Sequence, residues 1–203
     1  MSQVIIIDGG GANIASLQFA LERLGANSEL TADPDKIRAA ERVILPGVGA
    51  AADGMQRLIK AGLDTLIPQL TQPLLGICLG MQLLFDSSEE DDATCLGIIP
   101  GRTLRFEVAD DRPVPHMGWN QIGIIRNSRL LDGIPDDAYF YFVHSYAVGV
   151  TANSIACADY GKAFTAITHN NNFMGTQFHP ERSGQHGARL LQNFLQLDEA
   201  GFD

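Results

Sequence analysis

The first half of the chain alternates continuous apolar runs with stretches in which apolar residues recur every three or four positions. Residues 4–7 are all apolar and β-branched, which is typical of a strand buried on both faces of a parallel sheet. Residues 14–24 carry apolar side chains at helical spacing, and Gly25 ends that predicted helix. The pattern then repeats, with short helices predicted at 37–40 and 55–61 and strands at 43–45 and 74–77. This alternation predicts an α/β fold in which helices flank a central, mostly parallel sheet.

The pattern changes from about residue 98 onward, where short strand-like segments follow one another with turns between them. We predict strands at 104–108, 121–125, 138–143 and 155–158. They indicate an additional antiparallel portion in the C-terminal half of the sheet, or a second sheet. Residues 187–197 have helical spacing and predict a closing amphipathic helix.

Composition narrows the possible functions. The 203 residues suit one domain, and no apolar stretch approaches the length of a membrane span. The net charge of −10 opposes nucleic-acid binding, which depends on phosphate neutralisation by Lys and Arg. Cys78, Cys95 and Cys157 lack metal-type spacing and suggest reduced thiols. No basic segment precedes the first strand, so we expect no signal peptide and a cytoplasmic location. We also expect neither a metal nor a cofactor.

Cys78 lies in the sequence Gly-Ile-Cys-Leu-Gly (residues 76–80), between a predicted strand and a predicted helix start at Leu79. Small residues on both sides of a nucleophile permit the tight turn of a nucleophile elbow. A buried structural cysteine is the alternative, and the motif alone leaves the two interpretations about equally probable.

Gln-Phe-His-Pro-Glu at 177–181 favours the catalytic interpretation. A cysteine nucleophile needs a base for its proton and a third group that orients the base. His179 can be that base and Glu181 the orienting group. A structural histidine beside a solvated glutamate would be the usual alternative, but together with the elbow at Cys78 the pattern favours a triad.

Other motifs are weaker when taken singly. Residues 46–49 (Pro-Gly-Val-Gly) follow a predicted strand, where glycine-rich backbone can direct N–H groups at a developing oxyanion or form an ordinary turn. The acidic run at 89–92 predicts a solvated loop rather than a metal site. His116, His144 and His169 are each expected to be structural. Trp119 fits an exposed or interface loop at least as well as a core.

The segments 46–49, 76–82 and 177–181, in this order, resemble the motifs of the class I glutamine amidotransferases. Segments 115–120 and 141–146 narrow the resemblance to the glutaminase subunits of imidazole glycerol phosphate synthases. It covers essentially the whole chain and implies a single glutamine amidotransferase type 1 domain over residues 1–203. Arg182 stands where lysine commonly follows His-Pro-Glu in that family.

The resemblance implies hydrolysis of L-glutamine through a thioester on Cys78, with His179 and Glu181 completing the triad. Backbone N–H groups of Leu79 and of Val48 or Gly49 would form the oxyanion hole, and the substrate would be held by Gln82, His144, Ser145 and Tyr146. It also implies a heterodimer with a (β/α)8 barrel synthase subunit that receives the ammonia. The expected docking residues are Asn13, Met117, Trp119, Asn120, Tyr141 and Arg182.

Three alternatives remain at this point. The chain could be a class I glutaminase that serves a different acceptor synthase, or a catalytically inactive docking subunit. The intact residues of the triad argue against the inactive subunit. Covalent labelling by a glutamine-analogue electrophile would distinguish an active glutaminase from an inactive docking subunit. A free-standing cysteine peptidase would instead cleave peptides without a partner.

Overall fold

A central sheet of eight strands organises the computed structural model, which describes residues 3–9 and 14–197. The strands are β1 (Gln3–Ile7), β2 (Asn27–Thr31), β3 (Arg42–Gly47), β4 (Leu74–Cys78), β5 (Phe85–Ser88), β6 (Ile99–Arg105), β7 (His116–Gln121), β8 (Gly123–Ile124), β9 (Tyr139–His144), β10 (Tyr146–Val148), β11 (Ser154–Asp159), β12 (Ala163–Asn170) and β13 (Phe173–Thr176). The helices are α1 (Ile14–Arg23), α2 (Pro34–Arg38), α3 (Ala51–Lys60), α4 (Leu63–Leu66), α5 (Leu79–Gln82) and α6 (Gly184–Gln196). None of these described helices is long and apolar enough to cross a membrane.

The central sheet joins a parallel half to an antiparallel half. Its strand order is β2-β1-β3-β4-β13-β12-β11-β8. The pairs from β2 through β13 are parallel, and those from β13 through β8 are antiparallel. Smaller sheets are formed by β10-β6-β5 and by β7-β9. The predicted α/β class, with an antiparallel portion in the C-terminal half, is confirmed.

Both faces of the sheet are covered, which explains the apolar run at the start of the chain. Val4 and Ile6 belong to one hydrophobic core, which also contains residues of α1 and α6. Ile5 and Ile7 belong to a second core, together with residues of α2, α3 and α4. Because successive side chains of a strand point to opposite faces, a strand buried on both faces needs apolar residues throughout.

Besides β12, four strands were absent from the predicted pattern. The edge strand β2 carries polar side chains, because it is paired on one side only and is half exposed. The strands β5 and β10 are short, and β13 has only four residues, one of which is Gly175. Such segments give too few alternating positions for a clear strand signal.

Some predicted bounds also need correction. The strand predicted at 121–125 is divided, because β7 ends at Gln121 and β8 begins at Gly123 in a different sheet. The helix predicted to begin at Leu79 has a single turn, and Phe85 already starts β5. In addition, β12 extends over a segment for which no strand was predicted.

Helix α5 lies very close to the strands beneath it, and glycines make that approach possible. A Cβ atom at Gly80 would collide with the carbonyl oxygen of Leu45 in β3. A Cβ atom at Gly76 would lie 2.7 Å from the backbone nitrogen of Met81. These atoms are backbone and cannot move aside as a flexible side chain would. The glycines on either side of Cys78 therefore fix the position of the turn against the sheet.

We predict that Gly80→Ala destabilises the fold by about 2–3 kcal/mol, because the added methyl group forces α5 away from β3. Gly149→Ala is the matched control, since no atom lies within 4 Å of the added methyl group there; its effect should stay within about 0.5 kcal/mol. Urea unfolding of both variants measures the difference. Equal stabilities would contradict the close packing of α5.

Candidate active site

Cys78 is the last residue of β4 and occupies a strained backbone conformation, with φ 54° and ψ −113°. Non-glycine residues rarely adopt a positive φ, and such strain often marks functional positions. The residue is 8% exposed, and its Sγ atom lies 3.8 Å from the carbonyl oxygen of Val143. This geometry is the tight, strained turn that the sequence predicted at Cys78.

The sheet brings His179 and Glu181 to Cys78 from about a hundred residues along the chain. Strand β13 pairs in parallel with β4, so the segments that follow the two strands leave the sheet at the same edge. The Nδ1 atom of His179 lies 2.8 Å from Oε1 of Glu181, and the ring interacts with the side chain of Cys78. The Glu181 side chain is only 7% exposed. The three residues predicted as a triad are therefore brought together in one chain of contacts.

The environment of His179 favours the protonated ring. Burial alone would lower the pKa of His179, but the hydrogen bonds to Cys78 and Glu181 and the charges of both groups raise it to about 10. The ring can therefore hold a proton beside the sulfur of Cys78.

A cavity of about 350 Å³ opens over Cys78. Its lining contains every predicted catalytic, oxyanion and substrate residue except Glu181, which contacts His179 outside the lining. The lining comprises Val48, Gly49, Cys78, Leu79, Gln82, Glu90, Pro115, Val143, His144, Ser145, Tyr146 and His179. A larger cavity of about 650 Å³ contains none of the triad residues.

The predicted oxyanion segment is held beside the nucleophile by strand pairing. In the register of β3 and β4, Gly47 is the partner of Cys78, so Val48 and Gly49 continue past the sulfur. Gly49 has a φ of 90°, which glycine adopts without strain. Leu79 begins α5 on the other side. Residues of both segments therefore line the cavity.

Gln177 is a site residue that was not predicted, although its motif was recognised. The Nε2 atom of Gln82 donates to the carbonyl oxygen of Tyr146 and to Oε1 of Gln177, both at 2.9 Å. The Nε2 atom of Gln177 in turn lies 3.9 Å from Sγ of Cys78. The sequence offered no signal for this role, because the contacts of Gln177 come from segments that meet only in the folded chain.

Glu90 is a second residue that the sequence missed. The acidic run was predicted to be a solvated loop, which holds for the exposed Asp91 and Asp92 but not for Glu90. Glu90 lines the cavity, and its Oε2 atom accepts a hydrogen bond of 2.9 Å from the backbone nitrogen of Ala51, at the start of α3. Burial raises the pKa of Glu90. Nothing in the local sequence distinguishes it from its neighbours, because only the tertiary fold turns it inward.

The predicted docking residues divide into three groups. Met117 and Trp119 are 63% and 55% exposed on one face of β7. Tyr141 lies beside them, with the Arg182 guanidinium 4.5 Å from its ring centre and the Trp119 ring 6.1 Å away. Asn120 points inward and donates to the carbonyl oxygen of Asp159. The predicted residue Asn13 lies outside the described residues.

Tyr141 connects this surface to the site, because its carbonyl oxygen accepts a 3.0 Å hydrogen bond from the His179 backbone nitrogen. The exposed aromatic side chains and the triad therefore share one backbone contact. Among residues 3–9 and 14–197, no group of three or more His, Cys, Asp or Glu side chains is arranged to hold a metal ion.

Comparison with known proteins agrees with this geometry. The family model of the class I glutamine amidotransferases matches residues 5–197. The chain therefore belongs to the class I glutamine amidotransferases. It is 51% identical over 197 residues to the imidazole glycerol phosphate synthase subunit HisH of Xanthomonas axonopodis pv. citri, covering 97% of this chain and 98% of the relative. The HisH subunit of Xylella fastidiosa (strain Temecula1) is 51% identical over 200 residues, covering 98% of this chain and all of the relative. Within the class, the chain belongs to the HisH family.

Solved structures share the fold at much lower identity. PurLQS from Thermotoga maritima superposes with a TM-score of 0.73 at 18% identity, covering 96% of this chain and 97% of that chain. A glutamine amidotransferase from Thermotoga maritima gives a TM-score of 0.64 at 15% identity, covering 95% of this chain and 82% of that chain. These two structures support the architecture alone.

We predict that His179 titrates far above the ordinary histidine value of 6.5, because Cys78 and Glu181 hold its proton. NMR titration of the ring should show a lower pKa in Cys78→Ala and in Glu181→Gln. Since the folded-state pKa is raised, the paired imidazolium stabilises the fold below pH 6.5, and this contribution is lost as the pH rises through about 10.

His169 is the internal control for that titration, because burial lowers its pKa and it does not contact the triad. Its signal should titrate below 6.5 in all three proteins. A His179 ring that titrates at or below 6.5 in the unaltered protein would contradict the pairing with Cys78 and Glu181.

Proposed function

We propose that this chain is the glutaminase subunit of an imidazole glycerol phosphate synthase and hydrolyses L-glutamine to glutamate and ammonia. The observation that carries the proposal is the strained elbow at Cys78, which places its thiol against the His179–Glu181 pair at the base of a cavity. No cofactor is needed, because each step is a nucleophilic attack or a proton transfer. The activity is assigned to one domain over residues 1–203 in the cytoplasm.

The first half of the reaction forms a thioester. The Cys78 thiolate, whose proton resides on His179, attacks the side-chain carbonyl carbon of glutamine and forms a C–S bond. The negative charge that develops on the oxygen is stabilised by backbone N–H groups of Leu79 and of Val48 or Gly49. The C–N bond then breaks while His179 gives its proton to the departing nitrogen, so ammonia leaves and a γ-glutamyl thioester remains.

The second half releases glutamate. His179, now neutral and oriented by Glu181, takes a proton from water as the oxygen attacks the thioester carbon. The same N–H groups stabilise the second tetrahedral intermediate. The C–S bond breaks, and the sulfur leaves as the thiolate beside the reprotonated ring. Glutamate departs and the starting state of the triad is restored.

The cavity offers groups of suitable charge for a free amino acid. Gln82 and the segment His144-Ser145-Tyr146 line one wall, where side-chain and backbone atoms can bind the polar groups of glutamine. Glu90 supplies a carboxylate at the same cavity, which complements the substrate ammonium group. A volume of about 350 Å³ falls in the range of pockets that bind small molecules.

The ammonia must act at another active site, because the triad accounts for glutamine hydrolysis only. We assign it to a (β/α)8 barrel synthase subunit that forms a heterodimer with this chain and makes imidazole glycerol phosphate and AICAR in histidine biosynthesis. The names of the 51% identical relatives support this assignment. Met117, Trp119, Tyr141 and Arg182 form the proposed docking face, with Asn13 and Asn120 completing the predicted set.

The second candidate is a glutaminase that serves a different acceptor synthase with the same triad. The similarity to HisH subunits over almost the whole chain favours the histidine pathway. The two candidates differ in one observable property, which is the synthase that increases glutamate release when it binds its own nucleotide ligand.

We predict that Cys78→Ala abolishes imidazole glycerol phosphate synthesis from glutamine by the complex with the barrel subunit, because no thioester can form. Synthesis from ammonium salt should be retained, since that reaction uses only the acceptor site. Product formation from each nitrogen source measures the two activities.

The control for this experiment is Cys157→Ala, which removes a half-buried thiol on β11 outside the cavity and should leave both activities intact. Loss of both activities in Cys78→Ala would contradict the role of ammonia donor. Glutamate release that responds to another acceptor enzyme, and not to the barrel subunit, would retain the triad and reject the histidine pathway.

We predict that Glu90→Gln raises the KM for glutamine about ten- to hundredfold with little change in kcat, because it removes the charge opposite the substrate ammonium group. The amide oxygen can still accept the hydrogen bond from Ala51, so the start of α3 is preserved. Asp91→Asn removes an adjacent but exposed carboxylate and should leave KM unchanged. Equal KM values for both variants would contradict this role of Glu90.

A further inference from the structure

Two buried histidines form a contact behind the cavity that the proposed reaction does not use. His116 on β7 and His144 on β9 are direct partners in the antiparallel pair, and both side chains are buried. Nδ1 of His116 lies 3.0 Å from Nε2 of His144. Aromatic rings surround the pair, with Tyr160 and Phe142 stacked on His116 and with Phe106 and Phe164 against His144.

The partners of the two rings fix which nitrogen carries each proton. Nδ1 of His144 lies 2.8 Å from the carbonyl oxygen of Tyr146, which can only accept, so His144 carries its proton on Nδ1. Its Nε2 atom is then an acceptor, and Nδ1 of His116 must donate to it. Nε2 of His116 is left as an acceptor, facing the amide nitrogen of Asn120 at 3.4 Å. Burial lowers the pKa values of His116 and His144 to about 4 and about 3, so both rings are neutral at pH 7.

The chain of donors ends at a backbone group that belongs to the cavity. The Tyr146 carbonyl oxygen accepts from His144 and, at 2.9 Å, from Nε2 of Gln82. Both lone pairs of that oxygen are thus occupied. Because Nε2 of Gln82 also donates to Oε1 of Gln177, the Nε2 atom of Gln177 is the one that faces Cys78. The tautomers of the two histidines and the orientations of the two amides therefore form one consistent arrangement.

Simple packing does not account for imidazoles at these positions. A buried polar group costs free energy unless it is hydrogen-bonded, and apolar rings would fill an aromatic cluster without that cost. A fully satisfied polar network, in contrast, specifies a single arrangement of its members. The hydrogen bonds of the His116–His144 pair can run only from His116 to His144 and on to the Tyr146 carbonyl, in the segment that lines the cavity.

We propose that His116 is a positioning residue for glutamine binding, which acts through His144 and the Tyr146 carbonyl to fix the orientation of Gln82 at the cavity wall. The inference rests on the proposed function and deepens it. Without the His116 donor, Nε2 of His144 is a buried acceptor that has lost its partner, and only the hydrogen bond to the Tyr146 carbonyl still holds the ring. The ring can then move towards another donor, which displaces the Tyr146 carbonyl and the segment that lines the cavity.

The test compares His116→Leu with His116→Asn in the complex with the barrel subunit, with glutamate release from glutamine as the assay. Leucine removes the donor, and we expect the KM for glutamine to rise about tenfold while kcat changes about twofold or less. Asparagine places an N–H group near the position of Nδ1, and we expect its KM to return to within about threefold of the unaltered value. His169→Leu is the matched control, because it removes another buried neutral histidine, one that contacts the carbonyl of Asn171 away from the cavity.

The ring nitrogens are observed directly by ¹⁵N NMR. His144 should carry its proton on Nδ1 in all three proteins, and the signal of its Nε2 atom should shift in His116→Leu, where that atom loses its donor, but not in His116→Asn. If His116→Leu does not fold, His116→Asn decides the question, because an unaltered KM together with an unaltered Nε2 signal supports the donor role. A raised KM with an unaltered Nε2 signal in that variant would overturn it.

The proposal is also overturned if His116→Leu keeps the unaltered KM, or if His169→Leu raises KM equally. In those cases the unaltered complex still hydrolyses glutamine, and the proposed function stands. If the unaltered complex releases no glutamate, the proposed function itself fails. The two failures are therefore distinguishable in one set of assays.

Discussion

The site depends on the way in which β4 is held between two parallel neighbours. On one side β3 ends with Gly47 opposite Cys78, and on the other side β13 runs alongside Ile77. Parallel strands deliver the segments that follow them to a common edge, so Cys78, Val48 and His179 converge without any long loop. The glycines at 76 and 80 then let the elbow lie close enough to use that edge.

Sequence alone predicted the parts of this arrangement that have a strong local signal. Residues 4–7 predicted a doubly buried strand, and the small residues around Cys78 predicted a tight turn, both of which the structure contains. The strands β2 and β13 were missed because one is polar and the other is short. Glu90 and Gln177 could not be identified, because their roles arise from distant segments that meet only in the folded chain. The catalytic roles of the triad remain predictions, although their geometry is now described.

A single backbone oxygen determines how the hydrogen-bond donors and acceptors are oriented at the cavity wall. The Tyr146 carbonyl is the common acceptor for His144 on β9 and Gln82 on α5. A backbone carbonyl cannot exchange donor for acceptor, whereas an imidazole or an amide can present either. It therefore serves as the fixed reference from which the orientation of each neighbouring side chain follows.

The late position of β13 has a consequence for the order in which the molecule is made. Strand β4 and Cys78 are synthesised about a hundred residues before His179, and the ladder that joins them closes only when β13 inserts between β4 and β12. A chain that is still emerging from the ribosome therefore carries Cys78 without His179 beside it. In the proposed mechanism, reactivity of the sulfur is coupled to completion of the sheet.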